Sequence, residues 1–113
     1  MTDCVFCKIV SGDIPASVVH QDEEVVAFKD LNPQAPVHLL IVPRKHIASM
    51  NEVDDGDREI LGRLLLVARD LADREGIKQG YRLVNNCGLP AGQSVFHIHV
   101  HLLGGRAMTW PPG

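Results

Sequence analysis

The amino-acid sequence predicts an α+β fold, in which several strands form a sheet and one long helix packs on one face of it. Two observations lead to this prediction. A single amphipathic helical stripe lies between Asp57 and Gly76, and short apolar segments with strand character lie on both sides of it. The chain has 113 residues, which fits one compact domain, and we expect residues 1–113 to form that domain.

Five segments have the pattern of strands, at positions 18–20, 25–30, 38–42, 81–85 and 96–103. Four turn-forming polar residues separate the first two segments. The loop at 31–36 follows, and its two prolines exclude a central strand there. Pro43 is expected to end the third strand, and a loop at 88–92 precedes the last one.

The helix is predicted from apolar residues that recur at spacings of three and four, namely Ile60, Leu64, Val67, Ala68 and Leu71. Aspartates near its start can cap backbone amides and oppose the helix dipole. Gly76 lies where a C-terminal cap is expected. These signals place both ends of the helix.

The charge balance and the cysteine count limit the classes of function. Eleven basic and fourteen acidic residues give a net charge of −3, which argues against a nucleic-acid-binding protein. The apolar run at 39–42 is too short to span a membrane. Three cysteines without a visible export signal indicate a reducing compartment, so we expect a cytoplasmic protein. We expect no organic cofactor.

Polar and apolar residues alternate without a break from Phe96 to Leu102. Because side chains of a strand alternate between its faces, we expect His97, His99 and His101 to share one face. The opposite face is expected to be core and carries Phe96, Ile98, Val100 and Leu102. The histidines would then line a cleft or a surface.

A structural role, a metal site and a catalytic site compete as explanations of this pattern. On a straight strand, neighbouring histidines are about 6.6 Å apart and the outer two about 13 Å, so three in line do not easily share one metal. The spacing suits a central nucleophile with a helper on either side. Imidazole can attack phosphorus, donate hydrogen bonds to phosphate oxygens and protonate a leaving group. Gly92 and Ser94, just upstream, can contribute to a phosphate cradle.

Cys4 and Cys7 form a C-x-x-C pair, which could be half of a zinc site, a redox pair or a chance occurrence. The redox interpretation requires a following helix and a βαβ pattern, which the sequence does not predict. A structural zinc would require two further ligands. Cys87 is interpreted as a bystander.

Segment 93–103 resembles the signature of the histidine triad (HIT) family, with the sequence QSVFHIHVHLL. The resemblance covers nearly the whole chain and includes FCKIV at 6–10, IPA at 14–16, AF at 27–28, DLNPQAP at 30–36 and PRKHI at 43–47. The C-terminal segments LGGR at 103–106 and WPPG at 110–113 are similar to the Hint branch of the family, the purine nucleoside phosphoramidases.

The resemblance implies a HIT-like subunit with five antiparallel strands and one long helix, and a homodimer whose two sheets join into one of ten strands. It implies hydrolysis of the P–N bond of purine nucleoside 5′-phosphoramidates to a nucleoside monophosphate and an amine. His99 would be the nucleophile, flanked by His97 and His101, with His38 as a fourth member that tunes His99. Dinucleoside polyphosphate hydrolysis, and a non-catalytic nucleotide-binding or zinc-containing interaction protein, remain the alternatives.

The resemblance also implies the residues that contact the nucleotide. Asp30 matches the carboxylate that binds the ribose hydroxyls. The apolar slot for the base matches Val5, Phe6, Ile9, Phe28 and Leu31. The positions that hold the phosphate and the leaving group match Asn86, Gln93, Ser94 and Val95. Trp110 matches a tail residue that reaches the site of the partner subunit.

Some bacterial members of the family complete a zinc site with two histidines at defined positions. In this chain those positions are His46 and His97, so the implied ligand set is Cys4, Cys7, His46 and His97. A bound zinc would tie the N-terminal segment, expected to be a strand, to the sheet, and it would leave His97 with a mainly structural role.

Overall fold

The computed structural model describes residues 3–113. Two α-helices and five strands make up its regular structure: α1 (Val5–Ser11), β1 (Val18–Gln21), β2 (Val25–Lys29), β3 (Val37–Pro43), α2 (Arg58–Arg74), β4 (Tyr81–Val84) and β5 (Val100–Gly104). Short 3₁₀ turns lie at Met50–Glu52, Asp55–Asp57 and Leu89–Ala91. No helix in residues 3–113 is both long and apolar enough to cross a membrane.

The five strands form one sheet in the order β1-β2-β3-β5-β4, and every neighbouring pair is antiparallel. The expected five-stranded antiparallel sheet with one long helix is therefore confirmed. In the pairing of β3 with β5, His38 lies opposite Leu103 and Leu40 lies opposite His101. Opposed residues share a face of the sheet, so this register brings His38 and His101 to the same face as diagonal neighbours.

The two faces of the sheet bury different partners. Alternate residues of β2, β3 and β5 pack with α2 in the main core, among them Ala27, Ile41 and Leu102. The residues between them, such as Phe28 and Leu40, pack under α1 in a second, smaller cluster. Polar groups of the site lie on this second face because the strand alternation places them opposite α2.

Helix α2 begins and ends where the sequence predicts. The carboxylates of Asp54 and Asp57 form a capping box just before it. Gly76 follows the helix with a φ of +77°, a left-handed conformation that glycine adopts without steric cost. The amides of Gly76 and Ile77 bond back to the carbonyls of Asp73 and Ala72.

Two local predictions were wrong. The N-terminal segment is helix α1 rather than a strand, and Gly12 ends it with a φ of +85°. The last strand begins at Val100 rather than at Phe96, because the chain bends at residues 95–97. Phe96 is 45% exposed and not part of the core, whereas Ile98, Val100 and Leu102 are buried as expected.

The β1–β2 turn is tied to α2 through the side chain of Asp22. One carboxylate oxygen accepts from the backbone amides of Glu24 and Val25, at 2.8 and 2.9 Å. The other lies 2.7 Å from His20 Nε2 and 2.8 Å from Arg63 Nη2 on α2. Burial by itself would raise the pKa of Asp22, but the bonds from His20, from the two amides and from Arg63 outweigh it and lower the pKa.

We expect Asp22→Asn to reduce the free energy of unfolding by about 1–2 kcal/mol at pH 7, because the variant loses charge-assisted hydrogen bonds. A lowered folded-state pKa contributes stability above the unfolded-state pKa of about 3.9, and this contribution disappears as the pH falls through the folded-state value. In urea unfolding, the difference in the free energy of unfolding between wild type and variant should therefore become smaller below about pH 4. Asp70→Asn is the control, since its ion pair with Arg69 is exposed. An equal loss in both variants would contradict the assignment.

Candidate functional site

A cavity of about 310 Å³ opens between α1 and the face of the sheet that carries the histidines. Its lining includes eight of the ten residues expected to contact a nucleotide: Val5, Phe6, Ile9, Phe28, Asp30, Leu31, Ser94 and Val95. His99 and His101 also line it. A larger and more open depression of about 490 Å³ lies at the start of α2. Two histidines of the motif line the smaller cavity, which makes it the candidate site.

Five residues expected in the catalytic and nucleotide-binding site lie outside the cavity lining: His38, Asn86, Gln93, His97 and Trp110. The expectation that all three histidines of the motif line one cleft was therefore wrong for His97, whose ring is fully buried. Asn86 is half-buried in the segment after β4, and Trp110 is 81% exposed in the C-terminal tail. Gln93 is 2% exposed, and its side chain is occupied by the backbone. Its Oε1 accepts from the amide of Gly88, and its Nε2 donates to the carbonyls of Ala48 and Val95. Gln93 therefore holds the loop before the histidines in place.

His99 is held as a neutral ring with its lone pair on Nε2. Its Nδ1 lies 2.8 Å from the carbonyl oxygen of His97. A carbonyl only accepts, so Nδ1 carries the hydrogen and Nε2 of the neutral ring is left with the lone pair. Burial lowers the pKa of His99, against the opposing effects of the His97 carbonyl and Asp30. An unprotonated imidazole nitrogen at the wall of a cavity is a competent nucleophile.

His38 bonds to His101 rather than to His99. The backbone amide of Gln34 donates to His38 Nδ1 at 3.0 Å, so the hydrogen of the neutral His38 ring is on Nε2. That Nε2 donates to His101 Nδ1 at 2.9 Å and lies 3.4 Å from a carboxylate oxygen of Asp30. His101 consequently carries its own hydrogen on Nε2, where it can donate to a ligand in the cavity.

The rings of His99 and His101 meet with their centroids 5.0 Å apart. Burial, followed by the neighbouring His99 and His38, lowers the pKa of His101 to about 4. Burial also lowers the pKa of His38, although Asp30 opposes the effect. Two neutral imidazoles therefore line the cavity at pH 7. His99 presents a lone pair on Nε2, and His101 presents an N–H on Nε2.

Asp30, His38 and His101 are close enough to hold a cation, but their hydrogen bonds oppose it. A metal on His38 Nε2 would require the hydrogen to move to Nδ1, where the amide of Gln34 already donates. One oxygen of Asp30 also accepts from the amide of Asn32 at 2.8 Å. His38 and His101 are therefore hydrogen-bonded to each other, and the carboxylate of Asp30 lies close to His38 Nε2.

A second cluster lies beside the cavity and consists of Cys4, Cys7, His46 and His97. His97 Nδ1 lies 3.4 Å from Cys4 Sγ, 3.5 Å from Cys7 Sγ and 3.2 Å from His46 Nδ1. Cys7 Sγ lies 3.3 Å from His46 Nδ1. His97 donates from Nε2 to the carbonyl of Pro43 at 2.7 Å, so its Nδ1 presents a lone pair to the cluster.

This cluster fits a tetrahedral zinc ion. Zinc bonds of about 2.0 Å to nitrogen and 2.3 Å to sulfur place neighbouring ligand atoms roughly 3.3–3.8 Å apart, close to the separations found here. Burial and the neighbouring Cys4 thiol raise the pKa of Cys7 to about 11, which favours a neutral thiol in the protein alone. A bound zinc reverses this preference because a coordinated thiol is deprotonated. When bound, zinc would supply a structural crosslink.

The structure changes the interpretation of the cysteine pair in one respect. A helix does follow Cys4, whose Sγ accepts from the amide of Cys7 at 3.3 Å as the N-cap of α1. The sheet is antiparallel throughout, however, so the βαβ context of a redox motif is absent from the described residues. Cys87 is half-buried and lies outside the cluster.

Sequence reasoning missed several residues of the site. The side chain of Asn85 donates to the carbonyl of His99 at 2.9 Å. Its signal was a polar residue directly after β4, the neighbour of the histidine strand. Four further residues line the cavity, namely Ile14, Pro15, Ala16 and Leu40. The first three lie in a loop that has no periodicity, so only the fold reveals their position.

Comparisons with known proteins agree with this geometry. Residues 3–109 match the family model described as "Scavenger mRNA decapping enzyme C-term binding". A HIT family hydrolase from Legionella pneumophila superposes with a TM-score of 0.97 and 57% identity, over 98% of this chain and 100% of that one. A histidine triad nucleotide-binding protein from Candida albicans gives a TM-score of 0.83 and 30% identity, over 96% of this chain and 83% of that one.

The "14 kDa zinc-binding protein" of Zea mays is 51% identical over 111 residues, covering 96% of this chain and 87% of that protein. An uncharacterized HIT-like protein of Synechococcus elongatus is 47% identical over 111 residues, covering 98% of this chain and 97% of that protein. The chain therefore belongs to the HIT family. A HIT family hydrolase from Clostridium thermocellum superposes with a TM-score of 0.94 and 47% identity, over 96% of both chains. The likeness to structures named as HIT family hydrolases supports a hydrolase.

We expect the purified protein to bind about one zinc ion per chain, and Cys7→Ser to lose most of it, because one thiolate ligand is removed from a four-ligand site. Elemental analysis after dialysis against a weak chelator measures the content. Cys87→Ser is the control and should keep the wild-type content, since Cys87 lies outside the cluster. Equal zinc in wild type and Cys7→Ser would refute the ligand assignment.

We expect Gln93→Ala to lower the free energy of unfolding by about 1–3 kcal/mol, because buried backbone groups lose their hydrogen-bond partner. Gln79→Ala, at an exposed position, should change it by less than about 0.5 kcal/mol. Urea unfolding measures both. A Gln93→Ala variant as stable as wild type would show that the side chain does not hold the loop.

Proposed function

We propose that this protein hydrolyses purine nucleoside 5′-phosphoramidates through a nucleotidyl-His99 intermediate. The observation that carries the proposal is the tautomer of His99. The carbonyl of His97 occupies Nδ1–H and leaves the Nε2 lone pair, and His101 presents an N–H beside it. A nucleophile next to a donor is the pairing that substitution at phosphorus requires.

In the first step, His99 Nε2 attacks phosphorus and forms a P–N bond to the ring. The bond from phosphorus to the substrate nitrogen breaks, and the leaving nitrogen takes up a proton from solvent and departs as the amine. In the second step, water attacks phosphorus and releases a proton to solvent, and the bond to His99 breaks. The products are the nucleoside monophosphate and the neutral ring, and water is the only co-substrate.

The role proposed for His101 is to donate from Nε2 to a phosphate oxygen as charge develops. The amide of Gln34, His38 and His101 form a chain of donors that fixes this orientation. Asp30 supports it, because its carboxylate lies 3.4 Å from His38 Nε2. His97 is proposed to act through its carbonyl, since its ring faces the cysteines.

The nucleotide is proposed to bind with its base in the apolar part of the cavity. Val5, Phe6, Ile9 and Phe28 form this wall, and Leu31, which is 98% exposed, lies at its rim. Flat apolar contacts accept either purine. Asp30 is proposed to bind the ribose hydroxyls, and Ser94 and Val95 to contact the phosphate and the leaving group. Asn86 and Gln93 were expected to do so, but they lie outside the lining, and for Gln93 we propose a supporting role.

A homodimer is also proposed. Strand β4 is an edge of the sheet, and its Tyr81 and Leu83 are exposed. Leu65 and Leu66 are exposed on α2. Apolar side chains beside a free strand edge favour pairing with another chain, and two copies joined at β4 would form a ten-stranded sheet. Trp110 in the exposed tail is proposed to reach the site of the partner.

A second candidate is a nucleotide-binding, zinc-containing protein without turnover. The name of the maize relative supports only the zinc-containing part of this candidate. Within the enzyme class, dinucleoside polyphosphate hydrolysis is the alternative. Both are compatible with the cavity. The non-catalytic candidate would release no AMP from a phosphoramidate, and the alternative enzyme would cleave a dinucleoside polyphosphate faster than a phosphoramidate.

We expect the wild type to release AMP from adenosine phosphoramidate, and His99→Ala to lower kcat by roughly a thousandfold or more, because the nucleophile is lost. His20→Ala is the matched control, since His20 lies in the β1–β2 turn network away from the cavity. Chromatography of the products measures release.

Comparable turnover by wild type and His99→Ala would refute the nucleophile assignment. Tight AMP binding by the wild type without turnover of any phosphoramidate would favour the non-catalytic candidate. A diadenosine polyphosphate cleaved faster than the phosphoramidate would favour the alternative enzyme.

We expect the wild type to sediment as a dimer at about micromolar concentration and Leu83→Glu to shift toward monomer, because a buried carboxylate would oppose the contact. Val18→Glu is the control, since Val18 is exposed on β1 at the opposite edge of the sheet. A monomeric wild type, or equal dissociation of both variants, would contradict the interface.

A further inference from the structure

Helix α1 forms one wall of the cavity although it is only seven residues long. Val5, Phe6 and Ile9 contribute side chains to the lining. A helix of this length is not stable in water by itself, so tertiary contacts must hold it in place. Those contacts determine whether the wall exists.

The first turn of α1 is held by the Cys–His cluster. Cys4 is its N-cap, and Cys7 lies one turn further on. Their thiols contact His46, in the segment after β3, and His97, in the segment before β5. The cluster therefore joins three segments that are far apart in the chain.

Phe6 connects α1 directly to the nucleophile. Its ring is buried and meets the ring of His99 edge to face, with centroids 5.0 Å apart and planes at 87°. It also meets Phe28 at 5.4 Å and His97 at 6.0 Å. A displacement of α1 consequently moves the side chain that packs against His99.

A second route from the cluster to the nucleophile runs through His97. The ring of His97 is fully buried between the cluster on Nδ1 and the carbonyl of Pro43 on Nε2. Its own carbonyl accepts from His99 Nδ1 at 2.8 Å. The groups that fix the His97 ring also help to fix the carbonyl that sets the tautomer of His99.

We infer that Cys4, Cys7 and His46 are positioning residues for the cavity: they hold α1 as the wall of the base slot and support the ring of His99 without touching the substrate. The inference rests on the proposed function only for the identity of the nucleotide. Without the cluster, His97 keeps its bond to Pro43, whereas α1 loses the anchor of its first turn. Substrate affinity should consequently suffer more than the chemical step.

The decisive variant is His46→Ala, because it removes a cluster residue and leaves the sequence of α1 unchanged. Amide hydrogen exchange, followed by NMR on zinc-loaded wild type and on the variant, measures protection in α1 against protection in β3. We expect α1 to lose protection roughly tenfold or more, while β3 keeps it. Cys7→Ser should behave in the same way, and Cys87→Ser should match wild type.

Equal α1 protection in wild type and His46→Ala overturns the inference. A parallel loss in β3 also overturns it, because it would show a general loss of stability rather than release of α1. Wild type stripped of zinc by a chelator carries no substitution and serves as the second test. Its α1 should exchange as in His46→Ala if a zinc ion joins the cluster.

The functional readout is calorimetric titration with AMP, followed by steady-state kinetics on adenosine phosphoramidate. We expect the Kd for AMP to rise roughly tenfold in His46→Ala, and KM to rise by a larger factor than kcat falls. A Kd within twofold of wild type overturns the inference. A wild type that neither binds AMP nor turns over a phosphoramidate refutes the proposed function instead, and hydrogen exchange then decides the positioning role.

Discussion

The site depends on one constraint: a neutral imidazole has a single N–H and a single lone pair, so a partner on one nitrogen decides the chemistry of the other. In His97 the carbonyl of Pro43 takes Nε2–H, which leaves Nδ1 for the cysteines. In His99 the carbonyl of His97 takes Nδ1–H, which leaves Nε2 for the cavity. Two histidines in one motif thereby present opposite nitrogens to different tasks.

Burial makes this constraint effective. The pKa values of His38, His97, His99 and His101 are all lowered, with burial as the main cause. Neutral rings follow, and only neutral rings retain the lone pairs on which a metal cluster and a nucleophile depend. The sheet provides this burial, because the histidines lie on the face that α1 covers and α2 packs on the other. The histidines of the cavity and the Cys–His cluster can therefore lie side by side on one face and differ in their hydrogen-bond partners.

Much of the fold was predictable because its long elements have clear periodicity. The stripe of α2 and the apolar runs of β2 and β3 are governed by local pattern, and their positions are correct to within a residue or two. Helix α1 was missed because its N-cap is a cysteine thiol and it has too few residues to show a period. The start of β5 was missed because Ile98 bonds to Ile47 and Asn85 to His99, which takes this segment out of the ladder.

The alternation of residues 97 to 101 and the motif around it determined, from sequence alone, which histidines form the set and to which family the chain belongs. The tertiary structure decided which groups each histidine contacts. His97 meets cysteines about ninety positions away and His101 meets His38 sixty-three positions away, whereas Gln93 is occupied by backbone groups. A sequence states residue types and their spacing, but hydrogen-bond partners brought together by folding determine which nitrogen of a histidine is free.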